Sequence, residues 1–431
     1  MRPGGRLAAA IEVLDDIEKR KRPAGEALKD WGLSHRFAGS GDRAAIGNLV
    51  YDALRKKASL AWQMKAETPR ALAIGVMTLE WGQTGEALNA LLDGDRFAPE
   101  LLSEAELSQV SNASLEDAPD WVKADIPEWL EESLRGNFDE DLVAEGQALA
   151  ARPPVDLRVN TLKADRQKVL KALSRFSPKA TPISPDGIRL SANPRDGRTP
   201  NVQADGAFQK GWFEMQDEAS QLAAQLVYAR PGEQVLDYCA GAGGKSLAIA
   251  AAMENKGQLY AYDADRGRLS AIWERLKRSG ARNIQVREPE AGCLDSLLGR
   301  MDRVIVDAPC SGTGTWRRRP DTKWKLTQSA LDGRLEEQQQ ALAEAREFVR
   351  PGGYLVYITC SILPEENEDQ IYRFIENNPD FELLSVGEVW QDLYGFDKPQ
   401  PWSSDMMTIT MTPASTGTDG FFFSVLERRD N

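Results

Sequence analysis

The chain has 431 residues, 42% of them apolar, and a formal net charge of −13. That length calls for two or three domains. The charge argues against a protein that coats DNA with a generally basic surface, but leaves room for a local basic groove of the kind RNA needs. One histidine, His35, and four scattered cysteines at 239, 293, 310 and 360 argue against a histidine-based triad and a zinc site, so no metal is expected. No uncharged apolar run is long enough to span a membrane. The basic start is followed by Glu12 and Asp15 rather than by the apolar stretch of a signal peptide. Thiol chemistry then requires a reducing compartment, the cytosol.

Residues 1–135 read as helical. Leu7, Ala10, Ile11, Leu14 and Ile17 recur at helix spacing, and Asp42 is placed to cap a helix carrying Ile46, Leu49, Val50 and Leu54. The pattern continues through Leu72, Val76, Leu79, Leu88, Leu91 and Leu92, which predicts an all-helical interaction domain with Trp31 and Trp62 in its core. Pro119 and Pro127 mark a junction, and a helix runs on to about 151. Residues 136–210 form a small α+β unit, with strands at 155–162 and 188–190 and a helix at 165–176. Arg158, Asn160 and Lys163 are polar members of its first strand; phosphate contact and an ordinary exposed strand face fit them equally.

From 211 to 431 strands and helices alternate. Strands are predicted at 234–238, 257–263, 284–286, 304–307, 354–359 and 420–426, and helices at 219–228, 246–253, 266–278, 331–349 and 365–377. This is the pattern of an α/β, doubly wound, mostly parallel sheet, which binds ligands at the carboxyl ends of its strands. Two of these strands end in cysteines. Val304-Ile305-Val306-Asp307 leads into Ala308-Pro309-Cys310-Ser311-Gly312, and Tyr354-Leu355-Val356-Tyr357-Ile358 into Thr359-Cys360-Ser361. A lone cysteine is usually a small buried hydrophobe; two at strand ends, one after Asp-Ala-Pro, point to chemistry. From the residues alone the two thiols rank nearly equally.

The stretch Cys239-Ala240-Gly241-Ala242-Gly243-Gly244-Lys245-Ser246 is a glycine-rich turn between strand and helix. A dinucleotide fingerprint fits Gly241 and Gly243 but finds Ser246 where its last glycine belongs. A P-loop fits Gly244-Lys245-Ser246 but finds Cys239 in place of its first glycine, with 304–307 as a possible magnesium strand. S-adenosylmethionine accounts for more. Its methionine part needs glycines to pass and its ribose needs a carboxylate at the end of the next strand, which Asp263 supplies, with Arg268 following in the next helix.

Residues 239–246, 307–312 and 359–361 together resemble the Sun/Fmu family of RNA cytosine-5 methyltransferases. Residues 157–163, 216–220 and 417–422 extend the likeness, and 1–135 is similar to the NusB-like helical domain of the bacterial small-subunit rRNA member. The resemblance implies a cytosolic, S-adenosylmethionine-dependent enzyme that methylates C5 of a cytosine in RNA, with small-subunit rRNA favoured over tRNA; a monomer is expected, though nothing in the residues fixes the oligomeric state. It implies that Cys360 is the nucleophile at C6, that Cys310 assists product release and that Asp307 contacts the base and borders the cofactor. A carboxylate near adenine falls nearest to Glu290. The turn departs from the family's usual sequence at Gly241, Ala242 and Ser246, small for small. Directly after Cys310, Trp316-Arg317-Arg318-Arg319 and Lys323-Trp324 interleave cations with tryptophans, which suits phosphate contact and base stacking. Competing readings are a P-loop NTPase, a non-catalytic RNA-binding assembly factor and, less well supported, a DNA cytosine methyltransferase, which would leave Cys360 unexplained.

Overall fold

Apolar spacing builds two units. The computed structural model describes residues 1–192, 195 and 197–430. One unit comprises 1–153, 192–200 and 316–326, the other 154–191, 201–315 and 327 onward.

The first unit is helical. The helix Pro3–Arg20 buries Leu7, Ala10, Val13, Leu14 and Ile17, and the helix Ser40–Arg55 buries Ile46, Leu49, Val50 and Ala53. Each set lies on one stripe, as helical periodicity requires. Three expectations are corrected. Asp42 is the third residue of its helix rather than the cap: it accepts from the Gly39 N–H at 3.1 Å and from Arg6 Nε at 2.9 Å. Trp62 lies on the surface, 42% exposed, while Trp31 is buried. The compact helical unit includes residues up to Pro153. The stretch expected as one helix to 151 is broken at Asp139, whose φ is +46°, into Glu131–Phe138 and Leu142–Leu149. The second of these packs on Asp120–Lys123, which packs in turn on Lys57–Met64.

The second unit holds two sheets. The smaller is antiparallel, in the order β2-β3-β1-β4, from β1 (Val155–Val159), β2 (Lys179–Ala180), β3 (Gly187–Leu190) and β4 (Phe213–Met215). It lies in the same compact unit as the larger sheet. The larger sheet comprises β5 (Gln234–Asp237), β6 (Gln258–Tyr262), β7 (Ile284–Arg287), β8 (Met301–Asp307), β9 (Val349–Thr359), β10 (Phe381–Leu383), β11 (Ile409–Met411) and β12 (Phe421–Arg428). Its order is β10-β12-β9-β8-β5-β6-β7, with β11 on β12. Strands β5 to β9 pair in parallel and β12 runs antiparallel to β9.

Strand β8 explains why an uninterrupted apolar run is needed here. Val304 and Val306 enter one buried cluster and Ile305 the other, so both faces of the sheet are covered. The chain leaves β5 for β6 and β7, then returns to β8 on the other side. The crevice between β5 and β8 is therefore the switch point at which open α/β sheets bind ligands. Among the described residues no helix is long and apolar enough to cross a membrane.

Candidate active site

The turn after β5 makes the floor. Gly243 takes φ +76°, and a Cβ there would lie 2.4 Å from Ile272 Cγ1, so a side chain is excluded by both conformation and space. The helix Gly244–Ala252 starts at once. Gly241 donates its N–H to Asp263 Oδ2 at 2.9 Å. Asp263, just past β6, also accepts from the Asp265 N–H at 2.8 Å and pairs with Arg268 at 3.3 Å. Lys245 is buried and pairs with Asp307 at 2.6 Å. Ser246 donates to Asp237 at 2.6 Å, while the other oxygen of Asp237, also buried, has no hydrogen-bond partner among the described residues. Burial, then the nearby Asp307 and Asp263, push the Asp237 carboxyl up to about 7 against the pull of Ser246 and Lys245.

The thiols meet over this floor. Cys310 after β8 and Cys360 after β9 lie on neighbouring parallel strands, with Sγ atoms 3.4 Å apart. The loop behind Cys310 is fixed by backbone contact. Gly314 donates to Cys360 O at 3.0 Å and accepts from the Gly420 N–H at 2.8 Å. A Cβ on Gly314 would lie 2.1 Å from Gly420 O. One pocket of about 360 Å³ is lined by Cys239, Ala240, Gly241, Ala242, Gly244, Lys245, Asp263, Arg268, Asp307, Cys310 and Cys360. The residues predicted for cofactor and catalysis thus converge, with two exceptions. Gly243 lies beneath the turn rather than on the lining. Glu290 is exposed, ion-paired with Arg266 at 3.4 Å and absent from the lining, so the expectation that it borders the site is corrected. Burial and the Asp263, Asp237 and Asp307 carboxylates push the Cys239 thiol well up, unlike a nucleophile.

The basic residues fare differently. Arg158 is buried beneath the turn and donates to Gly244 O at 2.9 Å; burial pushes its guanidinium down to about 10. Asn160 is buried and ties Gly211 O to Ser279 O. Lys163, though exposed, bonds Lys210 O and Arg278 O. In the helical unit Lys323 is buried and donates to Arg55 O and Asp125 O, with burial pushing its ammonium down to about 8. Arg317 is buried as well, and its carbonyl accepts from Arg55 Nε at 2.8 Å. The expectation that Arg158, Asn160, Arg317 and Lys323 face RNA is corrected, because their side chains are enclosed by protein. Arg318 is half-buried and Arg319 exposed. Residues missed from sequence are Asp237, Ser220 and Arg334, the last two lining the pocket from helices whose apolar pattern gave no sign of it.

Residues 224–427 match the family described as 16S rRNA methyltransferase RsmB/F, and 126–195 match its ferredoxin-like domain. The chain is 32% identical over 313 residues to the probable ribosomal RNA small subunit methyltransferase B of Synechocystis, covering 70% of this chain and 67% of that protein. The chain belongs to the RsmB/F family. Matches to the curated relatives span about two thirds of their length. The solved structure of PH0851 superposes on 99% of both chains with a TM-score of 0.73 at 24% identity. NSun6 from Pyrococcus horikoshii, solved with SFG, covers 71% of this chain and 99% of its own, with a TM-score of 0.61 at 21% identity. These two likenesses are of fold.

As a member of a methyltransferase family the protein uses S-adenosylmethionine, and the RsmB/F pocket fits it. Two carboxylates, Asp263 and Asp307, line the pocket beside Lys245 and Arg268, each carboxylate ion-paired with one of those cations. Gly241 and Asp263 would be the residues to hold the cofactor, at the floor of that pocket. A P-loop fits poorly, because Lys245 is spent on Asp307 and Ser246 on Asp237, leaving neither for phosphate or magnesium.

Proposed function

We propose that the protein transfers a methyl group from S-adenosylmethionine to C5 of a cytosine in small-subunit rRNA, through a covalent bond between Cys360 and C6. The observation that carries this reading is the 3.4 Å pairing of Cys310 with Cys360 in the pocket that also holds Asp263 and Asp307. The names of the relatives support the RNA class. The structure of NSun6 with SFG, an S-adenosylmethionine analogue, supports the donor.

Cytosine C5 is a poor nucleophile until a sulfur adds at C6 and makes it enamine-like, and a soft thiolate suits that addition. S-adenosylmethionine, when bound, supplies an electrophilic methyl group. The chain's residues do the rest. Cys360 gives up its proton to solvent, and its thiolate bonds C6 as the C5–C6 double bond opens. Asp307, steadied by Lys245, meets the ring near N3, where charge develops. After methylation solvent takes H5 as a proton, its electron pair restores the C5–C6 double bond, and the C6–sulfur bond breaks with Cys310 assisting as donor to the departing Cys360 sulfur. The target base leaves its stack to reach the thiols, and Arg318 and Arg319, shortly after Cys310 in the chain, contact phosphate.

The test is a denaturing gel of Cys310→Ala with S-adenosylmethionine and rRNA transcript, beside wild type and Cys310→Ala/Cys360→Ala. A slow-migrating protein–RNA adduct in the single variant only is expected. An adduct that survives loss of Cys360 overturns the assignment of the nucleophile, and one that forms with tRNA but not rRNA overturns the substrate.

A further inference from the structure

Two thiols in one hydrogen bond pose a problem that the reaction does not solve. Either sulfur can be the donor at 3.4 Å, so something must decide which keeps the proton. Glu366 is fully buried a few residues past Cys360. One of its oxygens accepts the Ser311 N–H at 2.7 Å and Gln338 Nε2 at 3.0 Å, and the other accepts the Ser311 hydroxyl. Gln338, also fully buried, donates through the same nitrogen to Pro309 O at 3.0 Å. The carboxylate and the carboxamide therefore grip the chain on both sides of Cys310.

We infer that Glu366 is the positioning residue of the thiol pair: it fixes the Cys310 loop and its charge keeps the shared proton on Cys310, leaving Cys360 as the nucleophile. Every contact that Glu366 makes through its carboxyl group is with a donor, which suits an anion. The Cys310 proton is retained first through the contact with Cys360, then through burial and the Cys360 and Glu366 charges. Three further titratable groups surround the pair. Tyr357 on β9 is buried with its hydroxyl donated to Glu366 O, Lys245 is neutralised by Asp307, and Arg334 lines the pocket from the helix Gln328–Ala345. Cys310 thus stays a neutral S–H that donates to the Cys360 sulfur. The inference deepens the role assignment proposed above, but it can be read without substrate.

Iodoacetamide labelling of each cysteine across the neutral-to-alkaline range, read by peptide mass spectrometry, tests it on the full-length protein. In wild type the Cys360 peptide should be modified at lower pH than the Cys310 peptide. Glu366→Gln can keep the hydrogen bonds while removing the charge. It should lower the Cys310 midpoint by roughly one to two pH units, the size expected for a neighbouring charge, with the melting temperature unchanged. Gln338→Ala removes the carboxamide grip but leaves the carboxylate, and should keep the wild-type order of the two thiols. An unmoved Cys310 midpoint in a folded Glu366→Gln protein overturns the inference. So does a reversed order in Gln338→Ala, which stands as the test if Glu366→Gln does not fold. Because labelling needs neither RNA nor methyl donor, failure here leaves the methyltransferase reading untouched, and the reverse also holds.

Discussion

The loop that carries Cys310 and the segment 316–326 are neighbours in the chain, and both are crowded with chemically expressive side chains. In the first, those side chains open onto a pocket. In the second they are consumed: Lys323 and Trp324 donate to Asp125 O, Arg55 O and Leu54 O, and Lys325 donates to Arg22 O. The difference is one of cause. A residue just past a parallel strand is delivered to the ligand edge by the backbone, whatever the rest of the chain does. A lysine at the end of a one-turn helix such as Pro320–Lys323 goes wherever a carbonyl or carboxylate will have it, and here those partners lie far earlier in the sequence.

The sharpest way to break the comparison is at the open end. Cys360→Ala should lower methyl incorporation into rRNA by at least about a thousandfold, as loss of a covalent nucleophile does. Calorimetric affinity for S-adenosylmethionine should stay within about twofold. Full activity in that variant would end the catalytic assignment. Asp263→Asn should weaken donor binding by roughly tenfold to a hundredfold, because a charged acceptor is lost from the floor of the pocket; an unchanged dissociation constant would remove Asp263 from the site.

At the closed end, Lys323→Met should cost the folded protein about 1–3 kcal/mol in urea unfolding, since two buried carbonyls lose their donor. Its folded ammonium titrates near 8 against 10.5 in a free chain. The unfolded state therefore holds more protons between those values, and wild-type stability should rise with pH across that window. The rise should be missing from Lys323→Met. An effect of the opposite sign is expected at Asp237, which titrates near 7 when folded against 3.8 unfolded. The folded state holds the extra proton there, so the stability from this group is fully present at low pH and declines as pH rises from about 4 to 7. Asp237→Asn should flatten that decline in pH-dependent melting.

The same distinction explains what was legible in the sequence. Strand β8 declares itself because Val304, Ile305 and Val306 must be apolar on both faces, and Asp307, Cys310 and Cys360 follow from where strands end. The turn at 239–246 was readable because few residues fit its conformation. Strand β4 was not, since Phe213–Met215 is too short for any period to register, and β10 and β11 are equally brief. Arg158 illustrates the other limit. It looks like a phosphate ligand on an exposed strand, yet Gly244 O takes its proton donor, so it braces the cofactor turn from the smaller sheet. Nothing local distinguishes those two fates. Asp237 was overlooked for a related reason: a carboxylate at the end of an apolar strand reads as the strand's last residue, and only its neighbours Asp263 and Asp307 make it unusual.

The allocation of 316–326 to the helical unit also sets a rule for anyone who trims this protein. A fragment begun at Pro154 would keep the pocket, the thiols and both sheets, and would look like a tidy catalytic domain on paper. It would also retain Trp316, Trp324 and an ammonium whose carbonyl acceptors had been cut away. Such a fragment should be sticky and prone to proteolytic nicking a few residues beyond Cys310. A soluble minimal enzyme therefore calls for two edits, one at the amino end and one that rebuilds this internal segment.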